Sequence, residues 1–191
     1  MRRALTFVLA GLTAAAIGCS SDEKVTTEPA GNSSAASVPS ERTPSSGSRA
    51  DSAAVGDTLD LTGLKNGEAL AVTVVKVVDP ARADNEFSTP DAGKRFVAVQ
   101  FRLKNTGRVI YSDSPANGAR LVDTQGQQFG TAYEDTTAGP GFPGSVIIAP
   151  GDTGLGFITF EVPNSSRIFK VQFAMNSGFS GNTGQWEVSG D

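Results

Sequence analysis

The chain has 191 residues, with 16 Lys and Arg against 20 Asp and Glu, no His and one Cys. The lack of His removes the commonest general base and the commonest metal ligand, and one Cys excludes a disulfide framework and every Cys-rich zinc or iron–sulfur site. A net charge of −4 argues against a nucleic-acid partner, because duplexes bind to a concentrated cationic face.

Residues 1–18 predict a lipoprotein signal peptide. Arg2 and Arg3 supply a positive start, and an apolar run without charge follows from Leu5 to Ile17. As a helix this run is roughly 20 Å long, too short for a hydrocarbon core of about 30 Å. Its pattern is that of an export signal. Two arginines occur in both ordinary and twin-arginine signals, so both export routes stay open.

The only cysteine directly follows the apolar run. The stretch from Ala16 to Cys19 resembles the bacterial lipobox, although Leu is usual where Ala16 stands. The resemblance implies that the thiol of Cys19 receives a diacylglyceryl group and becomes the new N-terminus after cleavage. The alternative is a secreted protein cleaved near residues 14–16 that keeps a free thiol. We expect the lipid-anchored form, because buried acyl chains hold a protein on a membrane without a spanning helix.

Residues 19–54 predict a disordered linker behind the lipidated cysteine. Between residues 20 and 54 the chain holds ten Ser, six Ala, three Thr and three Pro, and only two sizeable aliphatic residues. Such a segment buries too little apolar surface to offset the entropy of ordering the chain. As a flexible coil it spans roughly 30 Å on average. The domain is therefore expected on the extracytoplasmic face of the cell membrane, held by an N-terminal lipid.

Residues 55–191 predict an all-β domain. Residues 69–78 are apolar and β-branched on both faces, which is typical of an interior strand. Residues 96–104 alternate, with Val97, Val99, Phe101 and Leu103 on one face and polar residues on the other, as in a half-buried antiparallel strand. The other predicted strands are 118–123, 127–133, 153–162, 167–175 and 185–188.

Glycine and proline mark the turns between these strands. Gly126 is expected to take the left-handed position of a hairpin turn, and residues 150–151 form a second turn signal. In the strand 167–175, Phe169, Val171, Phe173 and Met175 are expected on one face. About seven to nine short strands favour an immunoglobulin-like antiparallel β-sandwich over a closed barrel. Without the paired cysteines of antibody domains, apolar packing must hold its two sheets together.

Five segments carry a resemblance to a known family: GDTLDLTG (56–63), GKRFVAVQFRLKNTG (93–107), LVDTQGQQF (121–129), APGDTGLGFITFEVP (149–163) and FAMNSGFSGNTGQWEV (173–188). They resemble an uncharacterised domain-of-unknown-function family of immunoglobulin-like extracellular domains on actinobacterial and other Gram-positive lipoproteins. The fold is similar to that of small secreted mycobacterial immunoglobulin-like antigens. The resemblance implies a β-sandwich at the cell surface and brings no established activity.

The domain is not expected to be an enzyme or to hold a cofactor or metal. A Ser/His/Asp or Cys/His arrangement is impossible without His. Glu134 and Asp135 are adjacent, so on a strand they would point to opposite faces. The acidic residues within 79–91 lack the spacing of an EF-hand, which favours a solvated loop over a calcium site.

Two long connections, 79–93 and 134–145, are the best candidates for a binding surface. The candidate binding residues are Glu134, Asp135 and Phe142. The alternative for Phe142 is that its ring folds back and caps the core.

Three functions remain open at this point. The leading prediction is a non-enzymatic interaction module that binds an envelope protein or a glycan. A small-ligand or lipid carrier would instead need a cavity lined by Phe157, Phe160 and Phe173. A carboxylate-based hydrolase would need two acidic side chains that converge in a cleft.

Overall fold

The computed structural model describes residues 53–188, which form twelve strands and two short helical segments. The predictions for residues 1–18, for Cys19 and for most of the linker lie outside the described residues. The first strand begins at Ala53, two residues before the predicted start of the domain. The elements are β1 (Ala53–Ala54), β2 (Thr58–Thr62), β3 (Ala69–Ala81), β4 (Lys94–Asn105), β5 (Tyr111–Asp113), α1 (Pro115–Gly118), β6 (Ala119–Asp123), β7 (Gln128–Phe129), β8 (Thr131–Ala132), β9 (Val146–Ile148), β10 (Thr153–Pro163), β11 (Ile168–Ala174), a 3₁₀ turn (Asn176–Gly178) and β12 (Thr183–Glu187).

The strands build two five-stranded sheets and one short two-stranded pair. The first sheet has the order β1-β12-β11-β6-β7, the second has the order β2-β3-β4-β10-β8, and β5 pairs with β9. All pairings are antiparallel except that of β1 with β12. The predicted β-sandwich is confirmed. Seven of its strands have five residues or more, and the other five have only two or three.

The core lies between the two sheets. Val97, Val99, Phe101 and Leu103 of β4 are fully buried, as the alternation predicts, and pack with the inward residues of β6 and β11 in one apolar cluster. The ring centroids of Phe101 and Phe173 are 5.5 Å apart. Burying each large apolar side chain contributes about 1.5–3 kcal/mol, so this layer supplies the main stabilisation of the sandwich.

The opposite face of β4 is less polar than the alternation predicts. Arg102 and Lys104 are exposed, but Phe96 and Ala98 are buried in a second small cluster with Phe157. This burial arises because Ala138 and its neighbours in the 134–145 connection fold over the outer face of the second sheet. One end of that face is therefore covered by a loop, and the other end meets solvent.

The alternation along β11 is broken at its start. Val171 and Phe173 face the core as predicted, but Phe169 is 38% exposed and Ile168 is buried instead. The prediction for Phe169 is wrong because a β-bulge between Ile168 and Lys170 shifts the register against β6. An extra residue in one strand moves the preceding side chains to the other face.

The predicted hairpin around Gly126 is present, and Gly126 has a φ of +82°. The strand predicted over 127–133 is divided, however. Its first part, β7, pairs with β6 in the first sheet, whereas β8 pairs with β10 in the second sheet. The chain thus crosses from one sheet to the other just before Tyr133. Between residues 53 and 188, no helix is long and apolar enough to cross a lipid bilayer.

Candidate functional site

Two surface clefts meet at Tyr133, which directly follows the crossing strand β8. The side chain of Tyr133 is 79% exposed. Its hydroxyl donates a hydrogen bond to the side-chain oxygen of Asn117 at 3.0 Å. The ring therefore stands between the clefts with its polar end held in place.

The first cleft, here the acidic cleft, contains the three residues singled out from the sequence. Glu134, Asp135 and Phe142 all line it, and its volume is about 230 Å³. The structure therefore brings the predicted residues to one place. The full lining is Ser114, Ala116, Ala132, Tyr133, Glu134, Asp135, Gly141, Phe142, Pro143, Gly144, Phe157, Ile158 and Thr159.

Glu134 and Asp135 are both exposed. The backbone N–H of Asp84 donates to the carbonyl oxygen of Asp135 at 3.3 Å, and Ala83 forms a bridge with Thr136. The two long connections predicted from the sequence therefore lie side by side.

Phe142 is folded back on the protein. Its backbone N–H donates to the carbonyl oxygen of Phe157 at 3.1 Å, and its half-buried ring packs against the core cluster. Gly156 of β10 leaves room for this ring, because a Cβ there would lie 2.8 Å from Cγ of Phe142. This is the arrangement expected if Phe142 caps the core and forms a wall of the acidic cleft.

The second cleft, here the aromatic cleft, lies on the other side of Tyr133. Its volume is about 490 Å³, and it is lined by Asn117, Arg120, Gly130, Thr131, Tyr133, Ser177 and Phe179. Tyr133 and Phe179 are each 79% exposed. Arg120 is the one charged residue of this lining. The cleft thus combines two exposed rings, one cation and several neutral polar groups.

A hydrogen-bond network holds the rim of the aromatic cleft. Asn176 and Ser177 both have left-handed backbone conformations, with φ of +54° and +55°. Ser177 donates to Asp113 through its backbone N–H at 2.7 Å and its hydroxyl at 2.6 Å. The side chain of Asn176 donates to Glu68 at 2.8 Å. Non-glycine residues in this conformation cost free energy and cluster at binding sites.

Tyr111 completes the network from inside the domain. Its hydroxyl donates to Asp113 at 3.0 Å. Burial, reinforced by the negative charge of Asp113, raises the pKa of Tyr111 far above its usual value, so the phenol stays a neutral donor. The segment that carries Ser177 and Phe179 is therefore linked to the buried ring of Tyr111 through the carboxylate of Asp113.

Sequence reasoning missed Tyr133 and Phe179 as site residues. Tyr133 lies next to the predicted pair Glu134 and Asp135, and Phe179 lies in a glycine-rich stretch. The sequence shows that each of these aromatic residues stands near a turn, but it does not show whether the ring is exposed or lines a cleft. Phe87 has the same position relative to a turn, yet it lines neither cleft.

The arrangement expected for a carrier is not present. Phe160 and Phe173 pack in the core between the sheets, whereas Phe157 belongs to the cluster on the outer face of the second sheet. These three rings therefore do not line one cavity.

The acidic connection 79–93 is partly neutralised by ion pairs. Arg95 forms a bidentate pair with Asp79, at 2.6 and 2.8 Å, and Lys94 contacts Asp91 at 2.8 Å. Among residues 53–188, acidic side chains do not gather in groups of three suited to a metal ion.

Comparison with known proteins places the domain in a family. Residues 64–184 match the family described as "Domain of unknown function (DUF4352)". The chain belongs to the DUF4352 family. The resemblance drawn from the five sequence segments is thereby confirmed. No curated protein matches the chain.

Solved structures that match the chain include two with a TM-score of 0.50 to it. MPT63, a secreted protein from Mycobacterium tuberculosis, has a TM-score of 0.50 and 18% identity, over 71% of this chain and 95% of its own. The yjhA protein from Bacillus subtilis has a TM-score of 0.50 and 12% identity, over 72% of this chain and 99% of its own. At these identities the likeness shows the fold alone.

Proposed function

We propose that this protein is a lipid-anchored component of the cell envelope that presents its DUF4352 domain on the extracytoplasmic face as a non-enzymatic binding module. The observation that carries the proposal is the pair of clefts that meet at the exposed ring of Tyr133. Exposed aromatic residues on loops held by a rigid sandwich are typical of recognition surfaces.

The anchoring part of the proposal rests on Cys19, which directly follows the apolar run of residues 5–17. The likeness to MPT63, described as a secreted protein, is consistent with export. The non-enzymatic part rests on composition, because the chain has no His to act as a general base. Glu134 and Asp135 are neighbours on an exposed loop, where water screens both charges.

Anchoring is tested with Cys19→Ala. We expect this variant to be released into the medium or to remain an unprocessed precursor, because the alanine has no thiol to carry the lipid. Mass spectrometry of the N-terminal peptide and partitioning into a detergent phase measure the outcome. Ser20→Ala leaves the thiol in place and should partition as the wild type does. Partitioning of Cys19→Ala that equals the wild type would contradict the proposal.

Binding is tested with the full chain produced without lipidation. We expect it to sediment with envelope fragments of the source bacterium, and we expect Tyr133→Ala to reduce the retained fraction. Phe87→Ala is the matched control, because Phe87 is 89% exposed and lines neither cleft. A wild-type chain that stays in the supernatant would contradict the proposed binding function.

A further inference from the structure

We propose that the aromatic cleft binds a glycan of the cell envelope. This inference rests on the proposed binding function and names the chemical class of the partner. Three observations support the inference: the two rings of the cleft, the neutral polar residues that line it, and a row of polar side chains (Arg120, Gln172 and Gln185) that continues from the cleft across the first sheet.

The rings of Tyr133 and Phe179 offer apolar surfaces to a ligand. Each is 79% exposed, and they line one cleft although they are far apart in the chain. An exposed apolar patch rimmed by polar groups marks an interaction site. A sugar ring has a flat face of C–H groups that packs on an aromatic ring, and its hydroxyls project sideways toward the rim.

The polar groups around the rings suit hydroxyls. Asn117, Thr131 and Ser177 line the cleft with amide and hydroxyl groups. The hydroxyl of Ser177 already donates to Asp113 and the amide oxygen of Asn117 accepts from Tyr133, but the amide keeps a further donor and acceptor for a sugar hydroxyl. Nη1 of Arg120 donates to the backbone carbonyls of Asn117 at 3.1 Å and of Ala119 at 2.6 Å. These bonds hold the guanidinium at the cleft, and it keeps further N–H donors for a ligand.

The polar surface continues beyond the cleft. Gln172 of β11 lies opposite Arg120 of β6, and Gln185 of β12 lies opposite Gln172. The amide of Gln172 donates to that of Gln185 at 3.3 Å. Their neighbours along each strand face the core, so this row lies on the outer face of the first sheet. It crosses three strands, or roughly 10 Å, which is room for a saccharide chain rather than a single sugar.

The rim is prepared before any ligand arrives. The left-handed pair Asn176 and Ser177 is held by hydrogen bonds to Glu68 and Asp113, and Phe179 lies two residues after Ser177. Strain that the surrounding structure maintains is a mark of a binding site. A preformed cleft lowers the entropy cost of binding a flexible saccharide chain.

A glycan fits this surface better than a protein does. A stable protein interface needs roughly 800 Å² on each partner, with a dry apolar centre. Here the two rings share the lining with a cation and with neutral polar residues, so polar groups stand where a protein interface would have its dry centre. A single cation is too few for nucleic acid, whose affinity depends on many phosphate contacts.

The test treats envelope fragments before the unlipidated full chain is added. One sample is oxidised with periodate, which cleaves the vicinal diols of sugars, and a second is digested with protease. We expect periodate to abolish retention and protease to leave it. Tyr133→Ala and Phe179→Ala should each weaken retention about tenfold, the loss typical of an aromatic contact at a binding site. Phe87→Ala should bind as the wild type does.

Each outcome decides between the hypotheses. Retention that survives periodate but not protease means a protein partner, which overturns the glycan inference and leaves the binding function standing. Retention that survives both treatments is measured again after digestion with a muramidase, which hydrolyses N-acetylated glycan strands that lack vicinal diols; retention that survives this digestion as well overturns the inference, and its loss supports a glycan of that kind. Periodate-sensitive binding that neither aromatic variant weakens overturns the assignment to the aromatic cleft. No retention of the wild type overturns the binding function itself. Thermal unfolding of the variants checks that they remain folded.

Discussion

Asp123 ends β6 and holds the hairpin turn that follows. Its Oδ1 accepts hydrogen bonds from the backbone N–H groups of Gln125 and Gln127, each at 2.9 Å. Burial alone would raise the pKa of Asp123, but these hydrogen bonds outweigh burial and hold the pKa below its usual value. The carboxylate therefore stabilises the fold in its ionised form.

This gives a prediction at the residue scale. The pKa of Asp123 is lower in the folded state than in the unfolded chain, where it is about 3.9. The stabilisation is therefore complete above the unfolded pKa and is lost as the pH falls through the folded one. Asp123→Asn removes this titration, so we expect its stability to change less steeply below about pH 4. Urea unfolding over a pH series measures how the free energy of unfolding changes with pH in the wild type and in Asp123→Asn. Equal slopes in the two proteins would contradict the lowered pKa of Asp123.

At the scale of elements, the 134–145 connection depends on a gap in β10. Gly154 and Gly156 lie on the inner face of β10, and Phe142 occupies the space that a side chain at Gly156 would take, whereas Ile148 fills the space at Gly154. The connection is then tied to β10 by backbone hydrogen bonds from Phe142 to Phe157 and from Phe157 to Pro140. Phe142, which lines the acidic cleft, is therefore also packed against β10 of the second sheet.

The corresponding prediction compares two glycines. In Gly156→Ala the new Cβ would lie 2.8 Å from Cγ and 2.9 Å from the backbone nitrogen of Phe142. We expect a loss of about 1–3 kcal/mol in the free energy of unfolding, as for other overpacked positions. Gly144→Ala is the control, since nothing lies within 4 Å of its Cβ. Urea unfolding compares them, and an equal loss in both variants would refute the packing argument.

At the scale of the whole molecule, Trp186 joins the two sheets. It lies in β12 of the first sheet and is fully buried. Its indole N–H donates to the carbonyl oxygen of Asp57, just before β2 of the second sheet, at 3.0 Å. The side chain of Asp57 also accepts a hydrogen bond from the backbone N–H of Ala54 in β1, at 2.8 Å. The N-terminal edge, the last strand and the second sheet thus meet at one residue.

Because Trp186 is the only tryptophan, its fluorescence reports on that junction. We expect emission at a shorter wavelength in the folded protein than in urea. The unfolding curve should coincide with the one from circular dichroism, because a small sandwich with one core unfolds cooperatively. A fluorescence transition at lower urea concentration would instead show that β12 detaches before the sheets come apart.

The sequence by itself determined the fold class and six of the seven strands that have five residues or more, whereas β2 and the short strands β1, β5 and β9 were not predicted. Alternation along 96–104, the apolar run of 69–78 and the turn at Gly126 are local signals, because the period of a strand and the φ of a turn depend on neighbouring residues. These signals were enough for a two-sheet sandwich with an apolar core. They also singled out the 134–145 connection, because loop length and composition are visible in the chain.

Only the tertiary structure decided which side chains meet. The bulge that turns Phe169 outward depends on the register between β11 and β6, and the burial of Phe96 depends on a loop from elsewhere in the chain. Tyr133 and Phe179 share a cleft although Tyr133 follows β8 of the second sheet and Phe179 follows β11 of the first sheet, so their meeting depends on where the chain crosses between the sheets. Sheet order and register are long-range properties, so no local pattern encodes which loops they bring together.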